Sequence, residues 1–364
     1  MRLSSDPAAR RRLGLLAGAA VLALAVGIAV GTDEEGSTPR PQKPARAVRA
    51  AVDRLSLRQQ VGQLTVSSFP GMRPPAYIRR RLRAGETAGV ILFGFNAGPA
   101  SQWRRLTRAL QRNASNGALV MADQEGGDVR TVGWAGPVSG QPLQRTPAEV
   151  RDSARAAALQ LRAAGVNVNL APIADMPGAV MRTRAFAGAV AASTKAAVAG
   201  MWSARLAATA KHFPGLGRAD ANTDDASANS TPELGPFRAA IRAGVPIVML
   251  SHALYPGLDT HRIASQSPRI ATELLRDDLG FDGVAITDSL EAQAVLDRSG
   301  VAAAAERSLR AGADLILMTG SASWNDVFPR LLERARTSPA FRQRMRISAA
   351  RVLALKRQLG LALP

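Results

Sequence analysis

The chain has 364 residues and contains no cysteine. This absence excludes disulfide bonds, thiolate nucleophiles, cysteine-ligated metals and a lipid anchor on an N-terminal cysteine. Histidine is also scarce, without the H-x-H or H-E-x-x-H spacing of metal hydrolases; the three are His212, His252 and His261. No G-x-S-x-G nucleophile elbow is present, so a Ser-His-Asp hydrolase is not expected. We expect neither a metal nor an organic cofactor.

Lysine occurs at only four positions, 43, 195, 211 and 356, although the formal net charge is +19. The charge is therefore carried by arginines, which are scattered through helix-like stretches. Such a charge suggests nucleic acid binding, but the chain shows no recognisable nucleic-acid module. We predict a solvated basic surface that is attracted to an anionic envelope polymer or to lipid headgroups, with no nucleic acid partner.

The N-terminus predicts export. Arg10, Arg11 and Arg12 precede an apolar run at residues 13–30, and a positive flank before such a run sends the rest of the chain across the membrane. The run is close to the roughly 20 residues that span a bilayer, which favours an uncleaved signal anchor over a cleaved signal peptide. Residues 1–31 are thus a predicted leader, 32–47 a proline-rich linker, and the protein is extracytoplasmic, either membrane-anchored or secreted.

Residues 48–364 repeat one pattern, in which a short apolar run precedes a segment of helical period. Near-continuous hydrophobicity indicates strands buried on both faces, and the intervening segments fit crossover helices. There are eight such runs: VGQLTVSSF at 61, GVILFGF at 89, ALVMADQ at 118, NVNLAPIAD at 167, ATAKHFP at 208, VPIVMLSH at 245, GVAITDS at 283 and ADLILMTG at 313. We predict one α/β domain, a (β/α)8 barrel of the TIM type. A doubly wound open sheet is the alternative, but no glycine-rich phosphate-binding loop opens a helix.

Polar residues stand at the C-terminal ends of five of these runs: Asp123, Asp175, the pair Lys211 and His212, His252 and Asp288. In a barrel, those ends converge on one mouth, where distant residues can meet one substrate. Two chemistries fit the set. One is a Schiff-base enzyme that uses Lys211 as the nucleophile. The other is a glycosidase, in which one carboxylate acts at the anomeric carbon and an acid protonates the leaving oxygen.

The motif KHFPGLG at 211–217 begins a more specific pattern, together with ADQEGG at 122, NLAPIAD at 169, GFDGVAITDSL at 280, AGADLIL at 311 and RVLALKRQLGL near the C-terminus. Over residues 53–362 the chain resembles the glycoside hydrolase family 3 β-N-acetylhexosaminidases of the NagZ type. This resemblance implies a barrel domain and a retaining mechanism. It favours the glycosidase over the Schiff-base enzyme.

By this resemblance, Asp288 matches the nucleophilic aspartate that forms a covalent glycosyl-enzyme intermediate. Carboxylate, ammonium and guanidinium groups bond well to paired sugar hydroxyls. The residues matched to sugar binding are Asp123, Arg184, Lys211 and His212. Two further strand-end residues are assigned to substrate binding from their position alone, Asp175 and His252. Asp175 is well placed to orient the basic residues, and a structural ion pair fits it equally.

The chain departs from the NagZ pattern where the relatives carry an Asp-x-His dyad that supplies the general acid/base. Leu216 replaces the histidine of GHG, and the dyad positions hold Asn222 and Asp224. A carboxylic acid beside a sugar face can have its pKa raised into the working range, so Asp224 is the predicted acid. Its rivals on the same loop are Asp225 and Asp220.

A second departure is Asp128, where the family has arginine, with Arg130 two residues later. These departures leave a non-catalytic, lectin-like barrel that binds wall glycan as an alternative. Retention of Asp288 favours turnover, because a binding protein does not need a nucleophile. The predicted activity is that of an exo-acting β-N-acetylglucosaminidase that removes terminal GlcNAc from peptidoglycan fragments.

Overall fold

A computed structural model describes residues 46–96 and 98–364. The predicted leader, and the linker up to residue 45, lie outside the described residues. The linker was predicted to reach residue 47, whereas the first described helix already begins at Arg46. Among the described residues, no helix is long and apolar enough to cross a membrane. All of them fall in one compact unit, Thr38–Pro364.

Short strands provide the framework of this unit. The part of the chain that the structure describes contains twelve: β1 (Thr65–Ser67), β2 (Gly89–Ile91), β3 (Leu119–Ala122), β4 (Gln124–Gly126), β5 (Val129–Arg130), β6 (Val168–Asn169), β7 (Ala207–Phe213), β8 (Ile247–Leu250), β9 (Leu254–Tyr255), β10 (Asp259–Ile263), β11 (Val284–Thr287) and β12 (Ile316–Leu317). Two antiparallel pairs, β4–β5 and β9–β10, are hairpins outside the main sheet.

The other eight strands form one parallel sheet in the order β11-β8-β7-β6-β3-β2-β1-β12. From β1 to β11, neighbouring strands in this sheet also follow one another in chain order, and β12 pairs with β1. A parallel bridge between Ile286 and Leu315 connects β11 to the segment that leads into β12, so the sheet closes on itself. Each predicted apolar run coincides with one of these strands, and only β7 begins outside its run, by one residue at Ala207. The predicted (β/α)8 barrel is therefore confirmed, and the open doubly wound sheet is not formed.

Helices alternate with the strands. They are α1 (Arg46–Arg54), α2 (Leu57–Gly62), α3 (Ala76–Ala84), α4 (Ala100–Asn113), α5 (Pro147–Ala163), α6 (Val190–Ser203), α7 (Gly235–Arg242), α8 (Gln293–Leu296), α9 (Val301–Ala311), α10 (Trp324–Thr337) and α11 (Pro339–Gln358), with a π-helix at Arg269–Asp278 between α7 and α8. Local sequence explains several boundaries. Thr146 and Glu149 form a capping box that starts α5, and Gly85 ends α3 with φ of 68°.

The barrel interior is apolar. One cluster of buried side chains, which includes Val66, Leu119, Ile247 and Ile286, fills it, while the opposite strand faces pack against the helices. Gly89 allows close strand pairing, because a Cβ atom there would stand 2.0 Å from the carbonyl oxygen of Leu119. This packed interior leaves the carboxyl ends of the strands as the place for polar side chains.

Candidate active site

A cleft of about 640 Å³ opens at the carboxyl ends of the strands. It is lined by six of the predicted site residues: Asp123, Arg184, Lys211, His212, Asp224 and Asp288. They come from β7, from the positions directly after β3 and β11, and from the loops that follow β6 and β7. The barrel thus brings together residues that are up to 165 positions apart (288 − 123) in the sequence.

Lys211 lies at the centre of a buried ion-pair network. Its Nζ is 2.7 Å from Asp123 Oδ1 and 2.8 Å from Glu125 Oε1. Arg184 donates from Nε and a terminal nitrogen to both oxygens of Glu125, at 2.9 and 2.8 Å. Such a bidentate pair fixes the plane of the guanidinium group. The network therefore holds one ammonium and one guanidinium group at the cleft wall.

Sequence reasoning missed Glu125, although it is part of the quoted motif ADQEGG. The sequence pattern predicted Asp123, near the end of the apolar run, whereas Glu125 lies just beyond the run in the β4–β5 hairpin, which places it in the mouth. Its side chain is 1% exposed. Burial raises the pKa of Glu125, but the charges of Lys211 and Arg184 outweigh burial and lower the pKa to about 2. The carboxylate is thus a permanent anion.

The same network decides the protonation of Lys211. Burial lowers the pKa of its ammonium group, but Asp123 and Glu125 outweigh that effect and raise the pKa above its ordinary value. A Schiff base requires the neutral amine. The geometry therefore argues against a nucleophilic Lys211 and favours an ammonium group that donates hydrogen bonds.

Asp175 orients His212 from below the cleft. Its side chain is fully buried and accepts hydrogen bonds from the backbone nitrogens of His212 and Leu216. His212 Nδ1 lies 2.8 Å from Asp175 Oδ2, and Nε2 lies 3.7 Å from Asp288 Oδ2. A cis peptide bond joins Lys211 to His212. Asp175 is not among the cleft-lining residues, so its contacts fit the orienting role rather than direct sugar contact.

Asp288 follows the last residue of β11 and is held as an anion. Its Oδ1 accepts a hydrogen bond from the backbone nitrogen of Ser289 at 2.7 Å. Burial raises the pKa of Asp288, but the neighbouring His212 and His252 outweigh burial and lower it. An ionised carboxylate that faces an open cleft is the protonation state required of a nucleophile.

Asp224 has the opposite electrostatic environment. It lines the cleft, and its pKa is raised by desolvation and by the negative charge of Asp288. Asp225 accepts a hydrogen bond from Asn222, and Asp220 accepts two from Asn229. Neither of these rivals is among the cleft-lining residues. The geometry thus favours Asp224 as the acid.

His252 lies behind the cleft wall. It is fully buried, with Nδ1 2.8 Å from Ser265 Oγ and Nε2 2.9 Å from the carbonyl oxygen of Ser289. Both ring nitrogens are thus engaged by protein groups, and His252 is not among the cleft-lining residues. Its contact with Ser289 supports the segment after Asp288. No side-chain atom of His252 lines the cleft, so the structure gives no contact for its predicted role in substrate binding.

The two residues at the second departure from the family pattern also line the cleft. Asp128 accepts a hydrogen bond from Thr183 at 2.6 Å, while Arg130 donates to the carbonyl oxygens of Gly133 and Ala135. Arg130 therefore stabilises its own loop.

Within residues 46–96 and 98–364, no group of three or more His, Asp or Glu side chains is arranged to hold a metal ion.

Comparisons with known proteins give matches over most of the chain. Residues 56–355 match the model of the glycosyl hydrolase family 3 N-terminal domain. The chain is 33% identical over 300 residues to an uncharacterized secreted glycosyl hydrolase of Arthroderma benhamiae, covering 75% of this chain and 85% of that protein. It is 34% identical over 271 residues to a β-hexosaminidase of Xanthomonas oryzae pv. oryzae, covering 68% and 81%.

Among solved structures, a glycoside hydrolase family 3 β-N-acetylglucosaminidase from Paenibacillus sp. superimposes with a TM-score of 0.80 at 32% identity. The match covers 84% of this chain but only 63% of that longer one. The barrel is therefore shared, and the Paenibacillus protein carries additional chain beyond it.

Proposed function

This chain belongs to glycosyl hydrolase family 3, and from that premise we propose that it is a retaining exo-β-N-acetylglucosaminidase with Asp288 as the nucleophile and Asp224 as the general acid/base. The observation that carries the proposal is that these two carboxylates line one cleft in opposite electrostatic surroundings. The pKa of Asp288 is lowered and that of Asp224 is raised. Two carboxyl groups with pKa values driven apart are the mark of an acid/base assignment.

The remaining cleft residues suit the binding of one sugar. Lys211 and Arg184 donate to hydroxyl groups, and Asp123 accepts from them with the lone pairs that its bond to Lys211 leaves open. In the first step, Asp288 attacks the anomeric carbon while Asp224 protonates the leaving oxygen. In the second step, Asp224 takes a proton from water, which attacks the anomeric carbon and frees Asp288. His212, aligned by Asp175, lies next to the nucleophile throughout.

The proposed substrate is a terminal β-linked GlcNAc on a peptidoglycan-derived glycan. Of the relatives described above, one is named a β-hexosaminidase, one a β-N-acetylglucosaminidase and one a secreted glycosyl hydrolase. The arginine-rich leader and apolar run support an extracytoplasmic place, with the protein anchored by that segment or released.

Its net charge of +19 would draw it to anionic envelope polymers. If wall association did not weaken as salt was raised, this electrostatic attraction would be the wrong explanation.

Covalent trapping distinguishes the proposed glycosidase from the lectin-like alternative. A 5-fluoro-GlcNAc fluoride has a leaving group that needs no acid, so it forms the glycosyl-enzyme even if Asp224 is inefficient. We expect a mass increase of one fluorosugar that maps to Asp288, and no increase in Asp288→Asn. Binding of GlcNAc by calorimetry without any adduct would instead identify the barrel as a glycan-binding protein.

A further inference from the structure

The loop that carries Asp224 is hydrogen-bonded to the segment that follows the nucleophile. The backbone nitrogens of Gln293 and Ala294 donate to the carbonyl oxygens of Asp224 and Thr223, at 3.2 and 3.1 Å. These nitrogens open the short helix α8, where backbone N–H groups have no partner within the helix. The acid loop therefore supplies acceptors that this helix needs, and the two pieces of chain stabilise each other.

Side chains make a second attachment between the same two pieces. Ser227 Oγ, three residues after Asp224, donates to Asp297 Oδ2 at 2.9 Å. Gln293 Nε2 donates to the other oxygen of Asp297 at 2.6 Å. These hydrogen bonds, from Gln293 and then Ser227, lower the pKa of Asp297, so it accepts them as a carboxylate. Asp297 is exposed and is not among the cleft-lining residues.

The segment itself is fixed to the barrel. Glu291 accepts hydrogen bonds from the backbone nitrogens of Thr319 and Gly320, at 2.9 and 3.0 Å, and from the hydroxyl of Ser323. The backbone nitrogen of Leu290 donates to Leu317 in β12 at 3.2 Å. Residues 288–297 are therefore attached to the barrel through Leu290 and Glu291. This segment begins at the nucleophile and ends at the residue to which the acid loop is attached.

We infer that Asp297 is a positioning residue that acts through Ser227 and Gln293 to hold Asp224 at a set distance from Asp288. The inference rests on the proposed function, in which Asp224 is the acid/base. A retaining enzyme needs its two carboxyl groups about 5–5.5 Å apart. Because Asp224 stands on a long loop, that spacing depends on what the loop is attached to, and a misplacement of 1 Å can cost about 100-fold in rate.

Two substrates with different demands on the acid test this role. Diacetylchitobiose has a sugar leaving group that must be protonated, whereas dinitrophenyl β-GlcNAc does not need the acid; kcat/KM reports the first chemical step for both. We expect Asp297→Ala to lower kcat/KM about tenfold on diacetylchitobiose and less than about twofold on the dinitrophenyl glycoside. A general loss of structure would lower both equally.

Three further variants isolate the contact. Ser227→Ala should reproduce the selective loss, and the double variant should be no worse than Asp297→Ala alone, because Asp297→Ala already removes the hydrogen bond from Ser227. Asp297→Asn keeps an oxygen acceptor for Ser227 and should recover most of the rate. Asp277→Ala is the matched control, since Asp277 is an exposed aspartate on the π-helix; it should leave both substrates unchanged.

The two possible failures are distinct. If Asp297→Ala slows both substrates equally, or neither, Asp297 does not position the acid, while the proposed function stands. If the wild-type protein hydrolyses neither substrate and forms no adduct on Asp288, the proposed function fails and takes the inference with it. Circular dichroism melts of each variant establish that the folded protein is being compared.

Discussion

Two buried lysines lie at opposite ends of the barrel, and their surroundings shift their pKa values in opposite directions. Lys211, at the mouth, is surrounded by carboxylates that raise its pKa above the ordinary value. Lys356 lies in α11, and its ammonium bonds to Gln63, just before β1, and to the carbonyl oxygen of Asn116, just before β3. Burial without a counter-charge lowers the pKa of Lys356 to about 7. The mouth thus has a surplus of anions, and the opposite end does not.

The opposite end, which we call the floor, has its own carboxylate. Asp314, just before β12, is fully buried and is paired with Arg276 at 2.6 Å, Arg344 at 3.1 Å and Arg351 at 3.3 Å, with Ser348 as a further donor. Burial raises the pKa of Asp314, but the three arginines outweigh burial and lower it below its ordinary range. Both of its oxygens are occupied by protein donors.

The difference separates stability from chemistry. At the floor, Asp314 is enclosed by side chains that come from the π-helix and α11. Its ion pairs with them therefore connect these helices to the start of β12. At the mouth, Asp224 and Asp288 both face the cleft. In barrels of this type, the mouth carries catalysis and the floor carries stability. The two ends should therefore respond to mutation in different measurements.

The largest effect is expected at the mouth. Asp288→Asn removes the charge that attacks the anomeric carbon while keeping the shape of the side chain. We expect kcat/KM to fall by at least about 10⁴-fold, on the scale of lost nucleophiles in other enzymes. The melting temperature should stay near that of the wild type, because this carboxylate pairs with no buried cation as closely as Asp314 does. A variant that loses stability in step with activity would erase the contrast between the two ends.

The converse is expected at the floor. Asp314→Asn leaves Arg276, Arg344 and Arg351 buried around a neutral group, and breaking a buried ion pair in this way costs about 3–5 kcal/mol. Urea unfolding should show this loss in the free energy of unfolding. The remaining folded protein should keep the wild-type kcat/KM, measured well below the unfolding midpoint. A stable variant with reduced activity would show that the floor acts on the site.

The residues at the two ends also show how much of the site could be predicted from the sequence. Asp288 was predicted because the apolar run before it is a local pattern, and barrel topology then places its end at the mouth. The confirmed barrel and family follow from such local patterns. Glu125 was missed because a hairpin returns it to the cleft, and His252 ends behind the wall although it also follows a strand. Lys211 was selected because it ends an apolar run, whereas no pattern singled out Lys356, whose burial comes from the fold.

The next effect concerns the acid. Asp224 must be protonated and Asp288 ionised in the first step, so kcat/KM should fall as pH rises through the raised pKa of Asp224 and as pH falls through the lowered pKa of Asp288. Asp224→Asn should cost about 10²–10³-fold on diacetylchitobiose and should abolish the alkaline decline on that substrate. The dinitrophenyl glycoside, which does not need the acid, should show no such decline even with the wild-type protein. An alkaline decline that persists in the variant would assign the acid to another group.

The smallest effect is expected at Lys356 on the floor, whose ammonium group bonds to the neutral acceptors of Gln63 and Asn116. Its pKa is about 7 in the folded protein and about 10.4 in an unfolded chain. Between these values the unfolded chain binds the extra proton, so the contribution of Lys356 to stability improves as pH rises through this window. Below pH 7 the folded protein bears the full cost of a buried ammonium group.

Lys356→Met removes that cost but leaves the oxygens of Gln63 and Asn116 without this donor, which is worth about 1–3 kcal/mol in the other direction. The informative quantity is therefore the change with pH. We expect the free energy of unfolding of the variant, relative to wild type, to be most favourable at pH 6 and to decline by about 1–3 kcal/mol toward pH 9. Since Lys356 is far from the cleft in the fold, kcat/KM should not change. A difference that is constant with pH would mean that Lys356 stays charged at the floor, as Lys211 does at the mouth, and that the two ends are electrostatically alike.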